Sequence, residues 1–269
     1  MTRSRMSVLV MSCDQYSDMW NPMSDFLRKF WPDCPYEIIL STELGKPASG
    51  TVFNRIVNSN RSAWSGRVLD TLESIQTKYT MLLLDDMWPS KRIDNVAIEC
   101  ILDMMEHDHI GDVHLREEGT NQRDYSLNPA FRVYADNAPY RISASASIWD
   151  TGFLKSVLRP KESAWEFERI GSYREEGKLL PVLVCKSTPL SIVCVSGAVE
   201  QGKWEQAALD FAAEHQVAVD SGKRPIKSKR DRFRKSIKNF IYNANPSFVL
   251  MVQNWIYRIG QHSKKDGVQ

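Results

Sequence analysis

The chain has 269 residues, of which 42% are apolar and 25% charged, with a formal net charge of +2; this is enough to bury a full core and excludes a disordered tail or a peptide. Five scattered cysteines (Cys13, Cys34, Cys100, Cys185, Cys194) include no C-x-x-C pair, which argues against a disulfide framework or a zinc site and for a reducing, cytoplasmic setting. No run approaches the ~20 apolar residues of a membrane span.

Basic residues precede the first apolar stretch, but that stretch is shorter than the roughly 7–15 residues of a signal h-region. Residues 7–11 (SVLVM) are therefore expected as a first strand, ending in Ser12-Cys13-Asp14. Met23, Phe26, Leu27 and Phe30 share one face of a helix over residues 22–30, and a second strand (EIILS, 37–41) stops before Thr42-Glu43. Trp64, Val68, Leu72 and Ile75 align on a helix over 64–75, with Arg67 off that face. Residues 79–84 form the most apolar strand, expected at the centre of a sheet, and its end carries Asp85-Asp86. A helix over 95–105 follows; the polar stretch 107–139, with His107, His109 and His114, reads as loop. SASASIW (143–149) reads as a strand, Asp150-Thr151 as the cap of a helix through Leu158, and Ser163 as another helix start. LSIVCVS (190–196) reads as a late strand and residues 204–215 as a helix. Alternating strands and helices predict an α/β fold with a mostly parallel, Rossmann-like central sheet.

Charge is distributed unevenly. Residues 223–265 hold twelve Lys/Arg against one acid, Asp231, which leaves the rest of the chain near −9. Phe233, Ile237, Phe240 and Ile241 fall on one helical face among Arg232, Arg234, Lys235 and Lys238, and Asn245-Pro246 can open a second helix bearing Phe248, Met251, Val252, Trp255, Ile256 and Ile259. We expect residues 1–221 as one domain and 222–269 as a basic amphipathic extension lying on anionic lipid, the alternatives being packing on the domain or, less favoured, nucleic acid.

Ligands of open α/β sheets sit beyond the carboxyl ends of the strands, where three polar strand ends converge here. Adjacent carboxylates at such a rim raise one another's pKa. A hard divalent cation shared with substrate phosphates removes that conflict, so Asp85 and Asp86 are candidate ligands of Mn²⁺ or Mg²⁺. The structural alternative has Asp85 capping a turn and Asp86 solvated.

The strand SVLVMSCD, the segment WSGRVLDTLESIQTKYTMLLLDDMW, the segment YRISASASIWDTGFLKSVLRPKESAWEFE and the later EQGKW together resemble the GT-A nucleotide-diphospho-sugar glycosyltransferases of bacterial surface-polysaccharide gene clusters, over roughly residues 7–215. The resemblance implies a GT-A fold and transfer of a sugar, with inversion, from a nucleotide donor such as a UDP-sugar to a saccharide or lipid-linked acceptor at the membrane face. It implies that Ser12, Cys13, Asp14, Thr42 and Glu43 hold the nucleotide, that Arg67 contacts the donor, and that Asp85 and Asp86 hold metal and diphosphate, although Leu84-Asp85-Asp86-Met87 departs from the usual Asp-x-Asp. It further implies Glu166 as general base with Glu168 as the alternative, and Trp165 as a face for the acceptor sugar. Arg141 and Lys203 are candidates to stabilise the leaving diphosphate. Two other readings remain open: a metal-dependent nucleotidyltransferase, against which the loop SCDQYSDMW offers neither Gly nor a basic residue, and a non-catalytic carbohydrate- or lipid-binding scaffold.

Overall fold

The computed structural model describes residues 4–116, 119–186 and 197–228. The chain divides into two compact units, Met1–Arg224 and Pro225–Gln269, and the helices and strands of the described residues fall in the first. In chain order it comprises β1 (Met6–Met11), a 3-10 helix (Asp14–Met19), α1 (Trp20–Phe30), β2 (Glu37–Thr42), β3 (Arg55–Asn58), α2 (Trp64–Glu73), β4 (Tyr79–Leu84) and α3 (Asn95–His107). There follow β5 (Asp112–His114), β6 (Gln122–Asp124), β7 (Phe131–Tyr134), β8 (Ser147–Asp150), α4 (Thr151–Val157) and α5 (Ala164–Gly171). A short 3-10 turn (Glu176–Lys178) leads to β9 (Val182–Cys185), a hairpin of β10 (Val199–Glu200) and β11 (Lys203–Trp204), and α6 (Gln206–Glu214).

Nine of the described strands form one sheet in the order β3-β2-β1-β4-β8-β5-β9-β7-β6. From β3 to β4 every pairing is parallel. Beyond β4 the sheet becomes mixed: β8 enters antiparallel between β4 and β5, and only β5–β9 is parallel on that side. The fold is mixed α/β.

The strands at the centre, β1 and β4, are almost wholly apolar because both sheet faces are covered. Met6, Val8 and Val10 of β1, with Tyr79, Met81 and Leu83 of β4, pack toward Met23 and Phe26 of α1 and Leu102 of α3. Leu9, Met11 and Leu82 point to the other face, against Val68 and Leu72 of α2, Leu154 of α4 and Phe167 of α5. Burial of these side chains stabilises by about 1.5–3 kcal/mol each.

Several sequence-based expectations change. Residues 107–139 contain β5, β6 and β7, so His114 is a strand residue, fully buried beside Asp112 at 2.9 Å. Three-residue strands such as Gln122–Asp124 are too short and too polar to leave an alternating pattern. Trp204 belongs to β11, its ring tilted against Trp88 at 6.3 Å, and the helix starts two residues later. Lys223 and Arg224, at the end of the first unit, are bonded to Asp18. The strand expected at 190–196 and the basic helices beyond residue 228 lie outside the described residues.

Candidate active site

The chain places β2 and β3 on one side of β1 and then crosses to place β4 on the other, so the topological switch point of the parallel half lies between β1 and β4. The β1–β4 register pairs Val10 with Leu83 and Met11 with Leu84, so the next residues in each strand, Ser12 and Asp85, meet across that point. The Asp85 N–H donates to the Met11 carbonyl (3.2 Å), and the Ser12 hydroxyl donates to the Asp85 carboxylate. The same hydroxyl oxygen accepts from the Trp20 indole N–H at 2.6 Å. Ser12 is thereby committed to holding Asp85.

Asp85 is only 5% exposed, and its carbonyl accepts from the Trp88 indole at 3.2 Å. Burial first, then the charge of Asp86, pushes its carboxyl well above the ordinary range; the Ser12 hydrogen bond and Arg224 work the other way. Asp86 is half-buried, and burial raises its carboxyl to about 6 against the pull of the Val199 N–H and of Arg224. Behind it the Ala198 N–H donates to the Asp86 carbonyl (2.8 Å). Gly197 has φ +109, and a Cβ there would lie 3.0 Å from Asp86 Oδ2, so glycine lets this segment press against the acid.

The β1–β2 side of the rim gathers five more of the anticipated residues. The Asp14 carboxylate accepts from the Thr42 hydroxyl (2.6 Å) and from the N–H groups of Leu44 and Gly45, while the Asp14 N–H donates to Glu43 (2.8 Å). The Thr42 hydrogen bond is the main reason the Asp14 carboxyl sits below its usual value. Glu43 pairs at 3.3 Å with Arg67, which is 6% exposed and also donates to the carbonyls of Arg61 and Ser62. Asp14 thus clamps the loop after β2 to the loop after β1. Gly45 allows the clamp, since a Cβ there would lie 2.5 Å from the Trp20 ring. Cys13 lies half-buried between these groups, its thiol pushed up by burial and then by Asp85 and Glu43.

A cluster that no local pattern announced completes the rim. Arg224 donates from Nε and Nη2 to both oxygens of Asp18 (2.8 and 2.7 Å), donates to the Gln15 carbonyl (2.8 Å), and lies 4.2 Å over the Tyr16 ring. Lys223 approaches Asp18 at 3.4 Å. Burial works to raise the Asp18 carboxyl, but the hydrogen bonds and charge of Arg224, with Lys223, hold it below its usual value. Gln15, Tyr16 and Asp18 sit on the 3-10 helix that follows Ser12 and Cys13. The only sequence signal for the cluster is the Lys-Arg pair at 223–224, which looks like the start of a basic tail.

On the β8 side, Ser147 pairs with Leu82, so residues 143–146 enter beside the carboxyl end of β4. The Glu168 carboxylate accepts from the Ser143 hydroxyl (3.0 Å) and the Ala144 N–H (2.9 Å) of that segment. Glu166 instead closes a capping box on α5, with Oε2 accepting from the Ser163 N–H (2.7 Å) and hydroxyl (2.8 Å). Trp165, beside it, is 67% exposed. Lys203 is on β11, opposite Glu200, in the hairpin that follows the Gly197–Val199 contact with Asp86. Arg141 is a correction: it is 1% exposed and donates to the carbonyls of Gly177 and Leu180, so it holds a loop together and is not a rim cation. Burial accordingly lowers its pKa.

Among the described residues no three His, Cys, Asp or Glu side chains converge as a metal cage. Asp85 and Asp86 nevertheless suit a hard cation of the Mg²⁺ type, which takes one or two carboxylates and fills its remaining positions with water and substrate phosphates. Their raised pKa values are what such an ion would relieve. A surface depression of about 470 Å³ lined by Asp103, Met104, His107, Asp108, Leu127 and Asn128 is at the C-terminal end of α3, toward the amino ends of the strands, and is not part of this rim.

No family model matches the sequence, and no curated protein matches it. Among solved structures, the chain is similar to Staphylococcus aureus TarS at 13% identity and a TM-score of 0.48, over 72% of this chain and 37% of that one. It is similar to residues 1–349 of TarS in complex with UDP-GlcNAc at 14% identity and a TM-score of 0.48, over 69% and 57%. It is also similar to 2-C-methyl-D-erythritol 4-phosphate cytidylyltransferase from Thermus thermophilus at 12% identity and a TM-score of 0.41, over 80% and 100%. The chain therefore spans well under two thirds of the TarS structures it matches. No residue role in this chain follows from likenesses of this size.

Proposed function

We propose that this protein is a GT-A-like glycosyltransferase, whose crevice beyond β1 and β4 binds a nucleotide-diphosphate sugar, such as a UDP-sugar, and transfers the sugar with inversion to a saccharide or lipid-linked acceptor. The observation that carries this reading is the pair Asp85–Asp86, placed at the switch point with both carboxyls held above their ordinary pKa. Structural economy does not explain such a pair, since burying like charges costs stability, and perturbed carboxylates in a cleft mark functional sites.

Asp86, with Asp85 behind it, would hold Mg²⁺ or Mn²⁺; when bound, the ion supplies positive charge to the diphosphate. The chain's own residues do the rest. Ser12 fixes Asp85, and Asp14, Thr42, Glu43 and Arg67 shape the side of the rim that receives the nucleoside. The general base takes the proton of the acceptor hydroxyl as its oxygen bonds to the anomeric carbon, and the bond from that carbon to the diphosphate breaks with its electron pair leaving on the nucleoside diphosphate. We assign the base to Glu168, because its hydrogen bonds tie it to the segment beside the end of β4, whereas Glu166 is engaged in the α5 cap. Trp165 offers its exposed ring to the acceptor sugar.

One observation keeps the nucleotidyltransferase reading alive: Arg224 brings to the β1 loop the basic group that the loop's own sequence lacks. The two are separated by incubating the protein with Mn²⁺ or Mg²⁺ and a panel of nucleotide sugars, and separately with nucleoside triphosphates and sugar phosphates. Release of nucleoside diphosphate and free sugar is expected; release of pyrophosphate would establish the other activity. Neither product, with no thermal shift by any nucleotide, would leave a binding scaffold.

A further inference from the structure

We propose that Arg224, held on the β1 loop by Asp18, is the protein cation that receives the donor's diphosphate, and that Asp18 is the residue that positions it. This rests on the donor reading above and deepens it.

The β1 loop leads out of the switch point, yet residues 12–19 contribute two acids, Asp14 and Asp18, and no base. With Asp85 and Asp86 adjoining, the rim built by these strands is strongly negative, and a diphosphate bearing two or three charges of the same sign needs compensation there. Arg224 supplies it from 206 residues away in sequence from Asp18. A guanidinium carries five N–H donors in a fixed fork. In Arg224, Nε and Nη2 use three of them, on Asp18 and the Gln15 carbonyl. The two on Nη1 make no hydrogen bond among the described residues, and one face of the fork lies over Tyr16. The anchored edge fixes the orientation, and Nη1 stays available to an anion. Gln15 and Asp18, which hold Arg224, belong to the 3-10 helix that begins two residues after Ser12, and Ser12 is hydrogen-bonded to Asp85, so the guanidinium is anchored on the loop that leads out of the switch point. Lys223, next to it, adds a second, weaker hold on Asp18.

Binding of UDP, UMP and inorganic pyrophosphate to the full chain, each in the same Mg²⁺ buffer, tests the proposal by calorimetry. Arg224→Ala should weaken UDP and pyrophosphate by about 10- to 100-fold, the range for charge-assisted hydrogen bonds, while UMP changes by no more than about twofold. Asp18→Asn should lower the preference for UDP over UMP part of the way, and Arg224→Lys, which keeps the charge but not the fork, should rescue only part of the alanine loss. If Arg224→Ala does not fold, Arg224→Lys is read alone, with a UDP loss of at least about fivefold expected by the same reasoning. Unchanged UDP affinity, or equal losses for UDP and UMP, overturns the role of Arg224 while leaving the donor reading in place. Arg224-dependent binding of pyrophosphate without binding of UDP, ADP, GDP or CDP keeps Arg224 and removes the nucleotide; binding of none of these ligands removes both.

Discussion

Replacing Asp86 by asparagine should make the ligand-free protein more stable while removing its activity. The Asp86 carboxyl is raised by burial from 3.8 to about 6. A group whose folded pKa lies above its unfolded value contributes stability that is complete below the unfolded pKa and is lost as pH rises through the folded one. At neutral pH the wild-type protein has therefore lost roughly 3 kcal/mol at most, at 1.36 kcal/mol per pH unit. Asp86 is only half-buried, and screening by solvent reduces the expected gain on substitution to about 1–2 kcal/mol. Asparagine keeps the size and can still accept from the Val199 N–H, so packing and hydrogen bonding change little. Urea unfolding of both proteins between pH 4.5 and 8 in EDTA measures the difference, which should be small at the acid end, grow toward pH 6 and level off above it. Saturation with Mg²⁺ and UDP should erase the advantage, because only the wild type gains binding energy, about 2.7 kcal/mol at one hundred times Kd. An asparagine variant that is no more stable at pH 7.5, or a difference that does not vary with pH, would refute the claim that this acid is held against its electrostatic preference.

Three further outcomes are expected. Glu168→Gln should reduce transfer by about 10²- to 10⁴-fold, the contribution of a general base, with UDP affinity unchanged; Glu166→Gln, which can still close the capping box, should retain transfer, and the reverse result would return the base to Glu166. Gly197→Ala should cost roughly 1–2 kcal/mol, since a left-handed residue acquires a side chain that also presses on Asp86, and chemical denaturation would detect it. The full chain should bind anionic vesicles at low salt and a chain ending after Ser228, which retains Lys223 and Arg224, should not; equal binding would place the basic segment's role elsewhere.

How much of this was legible beforehand depends on how local each signal is. The helix expected over 95–105, found as Asn95–His107, follows from 3.6-residue spacing, and the capped start of Thr151–Val157 follows from Asp150, whose carboxylate accepts from the Phe153 N–H. Both signals operate within a few residues, so the chain states them directly. Ser163 likewise announced α5, and the Glu three positions later is the other half of that cap. Glu166, the residue expected as a base, is the Glu that closes this cap.

The amino-acid order alone determined the apolar strands, their polar ends and the acidic pair that closes β4, because burial on both faces and strand-end placement are written in runs of five or six residues. Only the tertiary structure decided that Ser12 meets Asp85, since that follows from the one-to-one register of β1 with β4. It also decided that Arg141 is buried against carbonyls and that Arg224 stands at the rim. An isolated basic residue carries no local information about its partner, and pairs separated by more than a hundred residues are chosen by the packing of the sheet.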